Sequence, residues 1–238
     1  MTTFTKKKSG SPMPGLLVFA LLCFSLLWSS CSKKDDTTDP GIGFLTVVNA
    51  SPTVGTFNVY VGGTLKNNAA LPLGGAIIPY MQLAGGSYDV KFTTASSTDN
   101  LFTKNITLTG SNTFSFFLIG RTGALDGIQV TDAMTATSST QAFVRFANLS
   151  PDAPSLNLKV TGGNKLVDNQ FYKQVSSFIP VDANTYSLDI ADQNTGAVKA
   201  TLAGTALTAG KYYTVMATGL LNPGAAEQSL RIQVINNK

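Results

Sequence analysis

The sequence predicts an all-β protein of two tandem antiparallel β-sandwiches, immunoglobulin-like or prealbumin-like, and three observations predict it. The first is a repeat. Phe44-Leu45-Thr46-Val47-Val48-Asn49-Ala50-Ser51-Pro52 returns as Phe143-Val144-Arg145-Phe146-Ala147-Asn148-Leu149-Ser150-Pro151, with Asn49 and Asn148 standing 99 positions apart. The same offset carries Phe57-Asn58-Val59-Tyr60-Val61 onto Leu156-Asn157-Leu158-Lys159-Val160, and Gly120 onto Gly219. A repeat of that length is a domain, too long for a solenoid unit. The second is an apolar period of two, with Phe57, Val59 and Val61 on one side and Asn58 and Tyr60 on the other. Half-buried strands have this pattern, and no stretch sustains helical spacing. The third is punctuation: Gly62-Gly63, Gly85-Gly86, Thr109-Gly110, Gly162-Gly163, Asp192 to Gly196 and Ala209-Gly210 separate the apolar runs. Short strands between closely spaced turns form sandwiches.

In chain order, residues 1–30 have the layout of a secretory signal: Lys6, Lys7 and Lys8, an apolar run from Leu16 to Leu27, then Ser29-Ser30. The run is well short of the roughly 20 residues that a spanning helix needs. Leu27-Trp28-Ser29-Ser30-Cys31 resembles a bacterial lipobox, which implies that Cys31 is acylated and becomes the mature N-terminus. More than one acyl chain, at about 0.8 kcal/mol per buried methylene, makes such anchorage stable. Residues 31–42 form a polar tether, whose run from Ser32 to Gly41 has no apolar residue to bury and so no reason to fold, and fully extended that run reaches roughly 30 Å at about 3.3 Å per residue. Its Lys33-Lys34-Asp35-Asp36 run resembles the acidic export signal of surface lipoproteins in the Bacteroidota. That implies a lipid-anchored outer-membrane protein on the cell surface. A plain solvated linker is the other reading.

The first sandwich is expected over residues 43–131, with strands near 44–48, 57–61, 76–82, 87–93, 102–108, 113–119 and 127–131. In the run 113–119, Phe114, Phe116 and Leu118 point inward and Ser115 and Phe117 outward. Residues 132–141, rich in Thr, Ser and Ala, are expected to be a linker too polar for a core, and 142–238 the second sandwich. Leu83-Ala84-Gly85-Gly86-Ser87-Tyr88 and Leu207-Thr208-Ala209-Gly210-Lys211-Tyr212 both resemble the tyrosine corner of Greek-key sandwiches, where the hydroxyl bonds to upstream backbone. Val181 to Tyr186 is a looser third copy, with Asn184 at the glycine position.

Composition narrows the function classes. The chain is 43% hydrophobic and 13% charged, as globular domains are. Its net charge of +4 falls to +1 once the three signal lysines are set aside, without the concentrated basic face that nucleic acid needs. Cys23 and Cys31 both lie in the N-terminal segment, so no disulfide staples the sandwiches. The chain has no histidine, which removes the usual general base and the commonest transition-metal ligand. Asp182, Asp189 and Asp192 with Asn184 and Asn194 are the densest set of oxygen donors, yet the stretch lacks the closing glutamate of a calcium loop and fits a hairpin turn. No metal, cofactor or catalytic constellation is expected.

The strand that ends in Asn-Ala-Ser-Pro, or in Asn-Leu-Ser-Pro-Asp-Ala-Pro through Pro154, followed by an alternating strand and Gly-Gly, resembles the bacterial domain of unknown function (DUF) family 4397. The resemblance covers residues 43–238 as two units and implies an exported, often membrane-anchored all-β module without established enzymatic activity. Asn49, Ser51, Asn148, Ser150 and Asp152 are the candidate ligand loops. The same residues could instead end their strands and cap the turns that follow. Tyr60 is the candidate stacking residue for a glycan, although Trp28, the only tryptophan, lies in the signal. The expected function is a non-catalytic, lipid-anchored envelope protein presenting two sandwiches for adhesion or protein interaction. A glycan-binding accessory lipoprotein and a structural spacer are the alternatives.

Overall fold

The computed structural model describes residues 1–5 and 40–238. The apolar run of the signal, Cys31 and the Lys33 to Asp36 run lie outside the described residues. Among those described, the first repeat comprises β1 (Ile42–Asn49), β2 (Phe57–Val61), β3 (Thr64–Leu65), β4 (Met81–Ala84), β5 (Gly86–Thr94), β6 (Phe102–Leu108), β7 (Thr113–Ile119) and β8 (Asp126–Thr131). The second comprises β9 (Gln141–Asn148), β10 (Leu156–Val160), β11 (Lys165–Gln170), β12 (Ile179–Asp182), β13 (Asn184–Asp192), β14 (Val198–Leu207), β15 (Tyr212–Thr218) and β16 (Arg231–Asn236).

Each repeat is a sandwich of two four-stranded sheets, β4-β1-β7-β8 on β3-β2-β5-β6 and β12-β9-β15-β16 on β11-β10-β13-β14. β1 pairs with β7, and β9 with β15, in parallel; the other pairings are antiparallel. A four-plus-four split departs from the seven strands of an immunoglobulin constant domain and fits the prealbumin-like alternative. Each sandwich has its own core. Leu45, Val47, Val59, Phe92, Phe116 and Leu118 fill the first, where Phe116 stacks on Phe92 at 6.0 Å; Val144, Phe146, Leu158, Ile190 and Val215 fill the second.

Most strands fall where the apolar alternation places them, β2, β6 and β7 to the residue. The strand expected at 76–82 is displaced to Met81–Ala84. Pro79 has no N–H to give to a ladder, so within 76–80 only Ala76 makes a bridge, to Val48. The two-residue β3 is too short to show a period.

The tyrosine corners are redistributed. Tyr88 donates its hydroxyl to Ala84 O at 2.9 Å, and Tyr186, in the looser copy, does the same to Asp182 O at 2.9 Å. Tyr212 instead donates to Ala136 O in the connection between the repeats, while its neighbour Tyr213 accepts from Thr208 N at 3.1 Å. Removing the hydroxyl in Tyr88→Phe or Tyr186→Phe is expected to cost about 0.5–1.5 kcal/mol, since one hydrogen bond is lost and the ring still packs. Urea unfolding followed by far-UV circular dichroism measures it, and an unchanged midpoint would show that the corner bond contributes nothing.

The two sandwiches stand within one compact unit, Pro40–Lys238, because their β1/β7 and β9/β15 sheets have a second apolar face. Val48, Ala50, Phe117 and Ile119 meet Ala147, Leu149, Met216 and Ile235 there in a third core. Phe117, expected to face outward, is wholly buried, and so is Ser115. Strands buried on both faces carry near-continuous apolar runs, and Phe114 to Ile119 is one. The contact is nearly self-complementary. Residues at equivalent positions of the two repeats, Phe117 and Met216, Val48 and Ala147, Ala50 and Leu149, enter this core together, as the two halves of a two-fold dimer interface would.

Candidate functional site

The sandwich–sandwich face contains a closed polar ring at the edge of its apolar patch. Arg145 and Asp132, with side chains 1% and 0% exposed, pair at 2.6 Å. Asp132 also accepts from Tyr80 at 2.5 Å and Ser115 at 2.6 Å. Tyr80 accepts from Asn237 at 2.7 Å, Asn237 accepts from Thr214 at 2.6 Å, and Thr214 accepts from Arg145 Nε at 2.8 Å. Ser115 accepts from the same guanidinium at 3.0 Å, and the Phe178 ring lies 4.5 Å from it. Burial, and then the Asp132 charge, raise the Tyr80 phenol well above its ordinary value. A cleft of about 570 Å³ opens beside this ring, lined by Phe44, Met134, Tyr80, Asp132 and Asn237. The polar atoms of Tyr80, Asp132 and Asn237 are committed to one another, so this is scaffold. Asp132, assigned by sequence to a linker too polar for a core, is a core residue because Arg145 meets it there.

The other end of the unit gathers the loops. β1 begins where Gly85 N donates to Gly41 O at 2.8 Å, and eight residues later delivers Asn49 to the opposite end, about 26 Å away at roughly 3.3 Å per residue. β8 returns to the starting end and the 132–140 connection stays there, so β9 runs the same way as β1. Both repeats therefore present the loops after β1, β7, β9 and β15 at one end. These loops are joined: Val54 N donates to Ala226 O at 3.1 Å and Gln228 N to Pro52 O at 2.7 Å. Arg121 lies between Glu227 at 3.0 Å and Asp152 at 3.6 Å, crossing from the first repeat to the second. Val54, 55% exposed, is the apolar side chain offered to solvent there.

The predicted loop residues divide at this point. Asn49, Ser51, Asn148 and Ser150 are all wholly buried, which removes them as ligand contacts. Asn49 donates to Leu71 O at 3.0 Å and accepts from Ser51 N at 3.0 Å, while Ser51 donates to Gly120 O at 2.7 Å. The second copy repeats this: Asn148 donates to Gln170 O and Pro154 O and accepts from Ser150 N, and Ser150 donates to Gly219 O at 2.7 Å. Gly120 and Gly219 take φ of 87° and 83°, and a Cβ on either would lie under 2.4 Å from a carbonyl oxygen. Asp152 is half-buried and accepts from Leu221 N and Asn222 N at 2.9 Å, organising the loop after β15. The Tyr60 ring is half-buried, and one face is covered by its cross-strand neighbour Lys91, Nζ 4.8 Å from the centroid. Asp192 accepts from Asn194 N and Thr195 N, as a hairpin turn requires, and Asp189 accepts from Thr161 and Thr201. Among the described residues no three His, Cys, Asp or Glu side chains group closely enough to hold a metal ion.

On one flank, Lys173 of the second repeat donates to Asp126 of the first at 2.8 Å, and Lys104 pairs with the same carboxylate at 3.0 Å. The Lys173 bond, with help from Gly127 N–H and Lys104 and against burial, holds the Asp126 carboxyl down at about 2. Burial and the Asp126 charge push the Tyr172 phenol up to about 12. Because the folded carboxyl titrates below its ordinary value near 4, its stabilisation is complete above about pH 4 and is lost as pH falls toward 2. The side chain is 37% exposed, so solvent reduces the effect. The melting-temperature gap between wild type and Asp126→Asn is expected to be present at pH 6 and to close by pH 2. A gap independent of pH would rule out the charge as its cause.

Residues 43–159 match the family model described as domain of unknown function (DUF4397). The matched span contains the first sandwich, the connection and the second Asn-x-Ser-Pro stretch, and supports the resemblance carried by those residues. No curated protein matches the chain. Among solved structures it is similar to the Bacillus anthracis TIE protein, at 14% identity and a TM-score of 0.25, over 76% of this chain and 34% of that one. The chain thus spans about a third of the length of the TIE protein. It is similar to a DUF1812 protein from Bacteroides thetaiotaomicron, at 12% identity and a TM-score of 0.23, over 82% and 95% of the two chains. A CBM26 module of Eubacterium rectale Amy13K, solved in complex with maltoheptaose, is similar at 12% identity and a TM-score of 0.24, over 82% and 97%.

Proposed function

We propose that this chain is a non-catalytic lipoprotein of the cell envelope, anchored through Cys31 to the outer membrane, facing outward and presenting its joined loop end for adhesion or protein interaction. The observation that carries the proposal is the placement of that end. The tether joins the fold at Pro40, and the loops of both repeats converge at the opposite end, tied by Arg121 to Asp152 and Glu227. Sandwiches that stand side by side with their loops together offer one continuous surface, held clear of the lipid by the tether and the length of β1. The buried Asn-x-Ser-Pro residues fix the roots of those loops, so the contacting groups are the exposed ones, Val54 and the loop after β15.

Full-length wild type and Cys31→Ala, expressed in a Bacteroidota-type host, test the anchor by detergent partitioning and the orientation by protease shaving of intact cells. Wild type is expected in the detergent phase and to be shaved, and Cys31→Ala in the aqueous phase. If the two partition alike as soluble protein, the anchor is refuted; if wild type is anchored but protected, the outward orientation is refuted. A photo-crosslinking residue at position 54 tests the loop end. It is expected to give adducts on intact cells that the same residue at position 198 does not, and equal or absent adducts at both positions would remove the loop end as the contact surface.

A further inference from the structure

We propose that the cleft beside the polar ring, at the tether end of the fold, is a binding site for one neutral aromatic ring. The two repeats, set side by side, identify the ligand. In the second, parallel pairing places Tyr212 of β15 next to Phe143 of β9 on the sandwich–sandwich face. The Tyr212 ring stacks on Phe143 at 4.6 Å and meets the Phe178 ring edge-on at 5.0 Å, the two arrangements that aromatic quadrupoles favour, and it is only 1% exposed. In the first repeat the same pairing places Thr113 of β7 next to Phe44 of β1. Tyr80 precedes the pairing of Met81 with Leu45 as Phe178 precedes that of Ile179 with Val144, so Tyr80 is the counterpart of Phe178. Two of the three aromatic positions are therefore kept, and Thr113 stands at the third.

The smaller side chain opens the space. Phe44, Tyr80 and Thr113 line one cleft of about 570 Å³, within the roughly 300–1,000 Å³ typical of small-ligand sites. Phe44 is half-buried where Phe143 is buried, and among the described residues no ring stacks on it. Tyr80 cannot swing across to do so, because its hydroxyl is held by Asp132 and Asn237. Half-buried Met134 lines the same cleft, and its thioether adapts to a ring without a fixed shape of its own. The charge on the wall is neutralised, since Asp132 is paired with Arg145 at 2.6 Å, and the polar atoms of Tyr80, Asp132 and Asn237 are committed to one another. What the cleft offers is the Phe44 face, the Tyr80 ring and a thioether. Such walls select an uncharged planar ring, seated against Phe44 and Tyr80 as Tyr212 is seated against Phe143 and Phe178. This site lies at the opposite end from the joined loops and does not depend on their role.

Titration of the full chain, labelled with 13C-methyl methionine, against p-cresol tests the site by NMR. Met134 reports from the cleft, and Met216, buried in the third core, is the internal reference. The Met134 methyl resonance is expected to shift saturably while Met216 stays in place. 4-Methylcyclohexanol, of similar size without a π face, is expected to bind at least threefold more weakly. Phe44→Ala is expected to raise the p-cresol midpoint about tenfold, as removal of an aromatic anchor does. Thr113→Tyr gives the first repeat the residue of the second, and it is expected to abolish the shift without lowering the melting temperature. N-acetyltyrosinamide separates the sources of the ring: binding within threefold of p-cresol identifies a side chain of a partner polypeptide, and its exclusion while p-cresol binds identifies a free phenol. Four outcomes would overturn the proposal: no saturable shift of Met134; equal binding of 4-methylcyclohexanol; a shift that survives Thr113→Tyr; or a shift given only by benzoate and lost when the exposed Lys238 at the cleft is changed in Lys238→Ala.

Discussion

Asp132→Ala is expected to lower the unfolding free energy by about 3–5 kcal/mol, the range for removing one partner of a buried ion pair and leaving the other uncompensated. The Arg145 guanidinium would stay 1% exposed with its counter-ion gone, and Tyr80 and Ser115 would lose their acceptor at the same time. The repeat supplies an internal comparison. Ser115 corresponds to Thr214, Asp132 to Asn237 and Arg145 to Thr46, so the pair occupies positions that hold neutral residues in the sister copies. The double variant Arg145→Thr/Asp132→Asn gives both positions the neutral residues of their sister copies. It is expected to cost less than either single change, because two neutral groups are cheaper to bury than one unpaired charge. Urea unfolding of wild type, Arg145→Thr, Asp132→Asn and the double variant by circular dichroism closes the cycle. A cost for Asp132→Ala under about 1 kcal/mol, or a double variant as weak as the sum of the singles, would deny the pair its structural role.

That pair also marks the limit of what a single strand discloses. Alternation located β2, β6 and β7 because each has one face on a sandwich core, and period two reports that face directly. It could not report the second face of β7. Phe117 sits at an outward position, and nothing within Thr113–Ile119 says that another sheet covers it. The signal was present in the unbroken apolar run and in Arg145, a charge set between Val144 and Phe146, but both gain meaning only when the other repeat is in place. The loop end divides the same way. The Asn-x-Ser-Pro stretch was conspicuous because it occurs twice, whereas Arg121 and Glu227 meet across 106 residues and belong to no repeated motif.

Asn148→Ala is expected to cost about 2–4 kcal/mol, more than any single surface change in the molecule, because it strips partners from three buried or half-buried backbone groups together. The carboxamide accepts from Ser150 N at 3.3 Å and donates to Gln170 O at 3.0 Å and Pro154 O at 3.1 Å. Each orphaned group forfeits about 1–3 kcal/mol when water cannot replace the partner, and the small cavity left behind admits little water. Asn49→Ala is expected to cost less, since its carboxamide has one donor bond, to Leu71 O, besides the bond from Ser51 N. Ser150→Ala exposes Gly219 O to the same penalty, and it is expected to be non-additive with Asn148→Ala because Ser150 N depends on the carboxamide. The order Asn148 before Asn49, with coupling between Asn148 and Ser150, follows only if these residues hold loop roots. Were they ligand contacts, the substitutions would leave the unfolding midpoint where it stands and change binding alone. Denaturation curves of the three variants and the Asn148/Ser150 pair therefore measure how firmly the twice-written stretch roots its loops.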